Sequence, residues 1–205
     1  MFNEITRMKA LESLSREHKI AFASSCCERL LPYYQGFYKT EKWGNLQELR
    51  GIVDTIWGNI LGVALSASQL NELVENCINI CPDTEVFSSL WAAPALCACV
   101  AIISTLECYL DGSASKASQA GGQALEAIYI YLYAKRDPEL GFHAANESFE
   151  NKLAEAPMIK AELSKQEQDL KSLSLIPLLT IEFLEAFRSS SLEAGIQSFK
   201  SDDIE

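Results

Sequence analysis

Apolar positions return every three or four residues along almost the whole chain, and the strict alternation of a half-buried strand is scarce. That period predicts helices from end to end. A first runs from about Asn3 to Leu14, and Ser15 can cap a second, long one from Arg16 to about Tyr38, expected to bend at Pro32. "LQELRGIVDTIWGNIL" reads as a third, and Ser68 opens a fourth, "QLNELVENCINIC", stopped by Pro82. The fifth begins near Pro94 and ends at Asp111–Gly112, with glycine just beyond the last turn. A sixth covers about Ser115 to Lys135, and "RDPELG" offers Asp137 as cap and Pro138 as first-turn residue of a restart. Pro157 opens a helix reaching Ser174, and Pro177 opens the last. The predicted fold is all-α: a compact antiparallel helical bundle of about seven or eight helices. Residues 1–188 form a single domain, and the polar stretch 189–205 is expected to fray.

The second helix has two faces. Ile20, Ala23, Cys27, Leu30, Leu31, Tyr34 and Phe37 share one apolar sector, which makes Cys27 a small core residue. His18, Phe22, Ser25, Cys26, Arg29 and Tyr33 line the opposite stripe, with Glu28 to one side. His18 and Cys26 stand two turns apart, roughly 12 Å along the axis, too far for a thiolate–imidazolium pair. On the third helix Arg50 and Asp54 flank an apolar face that ends in Trp57, and Glu28 and Arg29 are expected to meet them. The candidate ligand or partner cleft is therefore His18, Phe22, Cys26, Glu28, Arg29, Tyr33, Arg50, Asp54 and Trp57. A variant of it is an aromatic pocket lined by Phe22, Tyr33, Trp43 and Trp57.

Composition narrows the classes. Seventeen basic against 28 acidic residues give a formal charge of −11, with no basic cluster, which disfavours nucleic acid and anionic membrane as partners. The N-terminus "MFNEITRMKALESL" carries charges within an amphipathic pattern and does not read as a signal peptide. Val86 to Leu106 is uncharged, but Pro94 interrupts it and leaves a helix short of a span, so it reads as the central buried helix of a soluble bundle. Seven cysteines, two of them adjacent on one helix, are expected as reduced thiols in a cytoplasm.

"LESLSREHKIAFASSCCERLLPYYQGF" followed by "WGNLQELRGIVDTIW" resembles the YjaG-like proteins, a bacterial family gathered under a domain of unknown function. The matching residues are His18, Phe22, Cys27-Glu28-Arg29, Pro32 and Tyr34, continued by Arg50, Asp54 and Trp57; "APALCACVAI" resembles the later helix. The likeness is specific over the first half of the chain. It implies an all-α bacterial cytoplasmic protein and a loose association with histidine-kinase signalling; it implies no reaction and no catalytic residue.

Other constellations favour packing. Cys97, Ala101, Ser104 and Cys108, like Ala117, Gly121 and Ala124, form small-residue stripes suited to antiparallel neighbours. Cys77 and Cys81 share a helix face but lack the second pair of a zinc site. Glu139, His143 and Glu147 recur at four-residue intervals without the motif of a di-iron bundle. "SQAGGQA" lacks the lysine of a phosphate loop, and two histidines give acid–base schemes little to use. Neither a cofactor nor a metal is expected. Ile159, Leu163, Gln166, Leu170 and Leu173 keep a 4-3-4-3 spacing, suited to a helix laid over the bundle or to a self-pairing or partner seam through Ile159, Leu163, Leu170 and Leu173. The function expected is non-enzymatic binding or regulation, with a thiol redox sensor or enzyme around Cys26, His18, Arg29 and Tyr33 as the rival.

Overall fold

The computed structural model describes residues 2–136 and 155–197. Among them are eight helices and no strand: α1 (Glu4–Glu12), α2 (Arg16–Glu41), α3 (Leu46–Asn59), α4 (Ala67–Asn79), α5 (Ala92–Asp111), α6 (Ala114–Arg136), α7 (Pro157–Leu175) and α8 (Ile181–Gln197). Side-chain caps set several starts. Asn3, Ser15, Asn45 and Ser66 each accept the backbone N–H of the third helical residue, one of the donors a helix start leaves unpaired.

Several boundaries differ from expectation. The fourth helix is capped by Ser66, not Ser68, because Gln69 returns a hydrogen bond to the Ser66 backbone and closes a capping box. The last helix opens at Ile181, and Pro177 stays in the connection before it. The segment from Ser189, expected to fray, continues as helix to Gln197 and buries Ser191. The proposed restart at Asp137–Pro138, with Glu139, His143 and Glu147, lies outside the described residues.

The hub is α2, packed against α5, α6, α8, α3 and α7. Nearly every residue from Ile20 to Phe37 is buried, Glu28 and Arg29 among them, as in a helix surrounded on all sides. Two glycines mark where neighbours come closest. A Cβ at Gly195 of α8 would sit 3.1 Å from the Cα of Arg29 and 3.5 Å from the Glu28 carbonyl, the carbonyl that Pro32 leaves without its helical partner. A Cβ at Gly36 would lie 2.5 Å from the Trp91 indole. Gly36→Ala should therefore cost about 1–3 kcal/mol, the range for overpacking a filled core. Chemical denaturation checks this, and an unchanged midpoint would mean that Trp91 gives way freely.

Helix α5 is 20 residues long with a mean hydropathy of 1.7, so Pro94, lying in its first turn, does not shorten it below a span. Burial is what distinguishes it: 67% of that stretch is enclosed by the other helices. Cys108 lies beside Ala117 and Cys97 beside Glu126, so α5 and α6 run antiparallel through their small-residue faces. Gly121 is the exception. It faces α1 and α7, where a Cβ would meet Arg7 Cδ and Gln166 Oε1, each at 3.0 Å.

Candidate functional site

Adjacent residues of α2 feed two separate polar networks, because Glu28 and Arg29 point about 100° apart around the helix. Glu28, 1% exposed, accepts from Arg50 Nη1 at 2.5 Å and from Arg188 Nε at 2.7 Å. Arg188 also pairs with Asp54 and lies over the Trp57 ring, 5.8 Å from its centroid. Glu28, Arg50, Asp54 and Trp57 thus meet as expected, joined by a cation from α8.

Arg29 does not join them. It crosses to α7, donating from Nε and Nη2 to the two Glu162 oxygens at 2.7 and 2.8 Å. Its Nη1 donates to Asp169 Oδ2 at 3.1 Å and to the Ser25 carbonyl at 3.0 Å. Asp169 further accepts from Ser25 Oγ at 3.1 Å and pairs with Lys165. Burial works against the Arg29 charge, but Glu162 and then Asp169 outweigh it and hold the guanidinium above its ordinary pKa. The expected contact with Arg50 and Asp54 is therefore corrected: both carboxylates that satisfy Arg29 come from α7.

Cys26 has no exposed surface. Arg29 Nη2 donates to its sulfur at 3.4 Å, yet burial dominates and, with Glu162 and Asp169 nearby, pushes the thiol up to about 12. A thiol in that setting is not a nucleophile at neutral pH. Cys27 is likewise buried, against Thr105 Oγ1 at 3.2 Å.

The remaining candidates are packed apart. His18 is buried; its Nε2 donates to the Ile176 carbonyl at 2.8 Å and its Nδ1 lies 2.7 Å from Ser15 Oγ, tying α2 to the α7–α8 connection. Tyr33 meets Tyr131 edge-on at 5.7 Å, whereas Trp43 packs with Phe37 and Phe87, and Trp57 with Phe187. Tyr33, Trp43 and Trp57 thus pack into three separate aromatic groups. Of the nine cleft residues, only Arg50 and Asp54 reach solvent appreciably. On α7, Ile159, Leu170 and Leu173 are buried and Leu163 is partly so; this seam faces the bundle.

A further residue went unnoticed in the sequence. Arg7 of α1 is 3% exposed, donating from Nε to Ser118 Oγ at 3.1 Å and from Nη1 to Gln166 Oε1 at 3.2 Å. Both partners are neutral. Gln166 passes the contact on, donating to Glu162 at 2.8 Å and to the Gly121 carbonyl at 2.9 Å. Burial lowers the Arg7 pKa, while Cys26, Glu4 and Glu162 act in the opposite sense. No carboxylate forms an ion pair with Arg7 among the described residues. Its guanidinium lines a cleft of about 470 Å³ between α1 and α6, with Glu4 and Met8 beside it on the α1 wall and Ser115, Ser118, Gln119, Gly122 and Gln123 on the α6 wall.

The arrangement has known relatives. The fold matches a DUF416 family protein from Shewanella baltica OS155 with a TM-score of 0.79 at 20% identity, covering 91% of this chain and 93% of that one. Over 185 residues the sequence is 25% identical to the uncharacterized protein YjaG of Escherichia coli (strain K12), spanning 90% of each. The YjaG of Salmonella typhimurium matches to the same extent. The profile described as "Protein of unknown function (DUF416)" covers residues 6–198, and the chain belongs to that family.

Proposed function

We propose that this is a non-enzymatic binding or regulatory protein of the cytoplasm, whose ligand is a small molecule presenting an oxyanion to Arg7. One observation carries the reading. A guanidinium nearly removed from water, without a paired carboxylate, fronts a cleft within the size range of small-molecule sites. A buried charge is costly unless compensated, so an incoming carboxylate or phosphate gains more there than at an exposed arginine. Ser115, Gln119 and Gln123 add neutral polar groups that orient a ligand without carrying out chemistry. The packed thiol at Cys26 and the ion pairs that engage Glu28, Arg29, Asp54, Glu162 and Asp169 support a binding role over a catalytic one.

The test is equilibrium dialysis and thermal denaturation with inorganic phosphate and with citrate at constant ionic strength. Saturable binding and a raised melting temperature are expected for at least one anion, and either result identifies the preferred class. Arg7→Gln should abolish both effects. Gln119→Glu, an exposed change that leaves the core intact, should abolish them by adding a second carboxylate opposite Glu4, on the α6 wall of the cleft. Failure of both anions to bind the folded wild-type chain would sink the reading, as would binding that survives both substitutions.

A further inference from the structure

Arg7 does not stand alone in its cleft. On the same α1 wall lies Glu4, exposed and in the first turn of the helix. Residues at i and i+3 share a helix face, with Cβ atoms about 5–6 Å apart. The two side chains nevertheless do not pair: neither Arg7 nor Glu4 takes part in an ion pair among the described residues. Arg7 is fastened on its inner side, where Nε donates to Ser118 Oγ and Nη1 to Gln166 Oε1. Gln166 is itself held by Glu162 and the Gly121 carbonyl, so the guanidinium is fixed and does not swing out to Glu4. Its remaining nitrogen, Nη2, donates to no protein atom among the described residues. It lies against the α6 wall at Gly122, where a Cβ would sit 3.6 Å from it.

Resting on the oxyanion reading of Arg7, we infer that the ligand of this cleft is a zwitterion of the α-amino-acid type, whose carboxylate meets Arg7 Nη2 and whose ammonium meets Glu4. Charge balance selects this class. Arg7 is the only basic side chain among the described lining residues, so a dianion would find one cation there. Its second charge would face Glu4 within a chain of formal charge −11. A simple cation would face Arg7 instead. A ligand carrying both charges satisfies both side chains and leaves the cleft neutral.

The two contacts have different weights. Arg7 is buried, which makes the carboxylate contact the anchor. Glu4 is exposed, so the ammonium contact is weaker and serves selection more than affinity. A volume of about 470 Å³ falls in the lower part of the range of small-molecule sites, and Met8 offers an apolar surface to a ligand side chain.

Equilibrium dialysis of the full chain near neutral pH and at constant ionic strength provides the test, with each neutral standard L-amino acid in turn and with phosphate and citrate in parallel. Saturable binding of at least one amino acid is expected. Its N-acetyl form, which lacks the cation, and its α-carboxamide, which lacks the anion, should each bind more weakly. Arg7→Gln should abolish binding of amino acid and anions alike. Glu4→Gln, at an exposed position, should weaken the amino acid about two- to fivefold, the range of a charge pair at the surface, and at the same time tighten phosphate or citrate. A general loosening of α1 would weaken both and cannot produce such opposite shifts. Amino acids that fail to bind while phosphate or citrate binds through Arg7 would overturn the zwitterion and leave the oxyanion reading standing. So would an N-acetyl form that binds as tightly as its parent, or a Glu4→Gln chain with unchanged affinity for the amino acid. Binding of neither amino acid nor anion would end both.

Discussion

Replacing Arg29 with methionine should destabilise the fold by about 3–5 kcal/mol, the cost of stranding buried charges. At this chain length that corresponds to a fall of roughly 6–20 °C in melting temperature. Methionine fills much of the arginine's space, so the loss is electrostatic. Glu162 loses both of its direct guanidinium contacts and Asp169 loses one, leaving Lys165 and Ser25 for the latter and Gln166 for the former. Arg29→Lys should fall between the two, because an ammonium cannot reproduce the fork that engages both Glu162 oxygens. Adding Glu162→Gln and Asp169→Asn to Arg29→Met should recover part of the loss by removing the uncompensated charge. Thermal and urea unfolding of the four proteins would decide it. A methionine variant as stable as wild type would show that the network is not the tie between α2 and α7.

Raising the pH should unfold the chain cooperatively between about pH 9.5 and 11. Burial pushes Cys26, Cys97 and Cys108 up to about 12, and Cys27 higher still. An unfolded chain releases the same protons near 8.5. Because the folded values are raised, this stability is whole below about pH 8.5 and drains away as pH climbs towards the folded values. Each thiol removes about 1.4 kcal/mol per pH unit across that window, and the four together about 5–6. A domain with about 5–15 kcal/mol of net stability cannot survive far into it. Following helicity and thiolate absorbance together provides the check. The absorbance of Cys26, Cys27, Cys97 and Cys108 should rise in one step with unfolding. Thiolates appearing one by one near pH 8.5 in a chain that keeps its helicity would contradict the burial described here.

The sequence alone determined the fold class, most helix positions and the character of α2. A 3.6-residue period is a local property, and so are the serine and asparagine caps and the glycine that ends α5. The Glu28–Arg50 contact was legible as well, since both residues sit at the edges of apolar faces on consecutive helices. What sequence could not reveal was the direction of Arg29. Its partners lie 133 and 140 residues away, and a carboxylate inside a charged stripe of α7 looks the same whether it faces water or another helix. The burial of Cys26 was not legible for a related reason. A thiol's reactivity depends on burial and on the donors around it, and those are set by which helices close over it. Gly121 looked like part of a helix–helix stripe until the fold placed Arg7 and Gln166 against it. Local pattern decides which face of a helix turns inward; only the tertiary packing decides what each inward side chain meets, and the chemistry of this protein resides in those meetings.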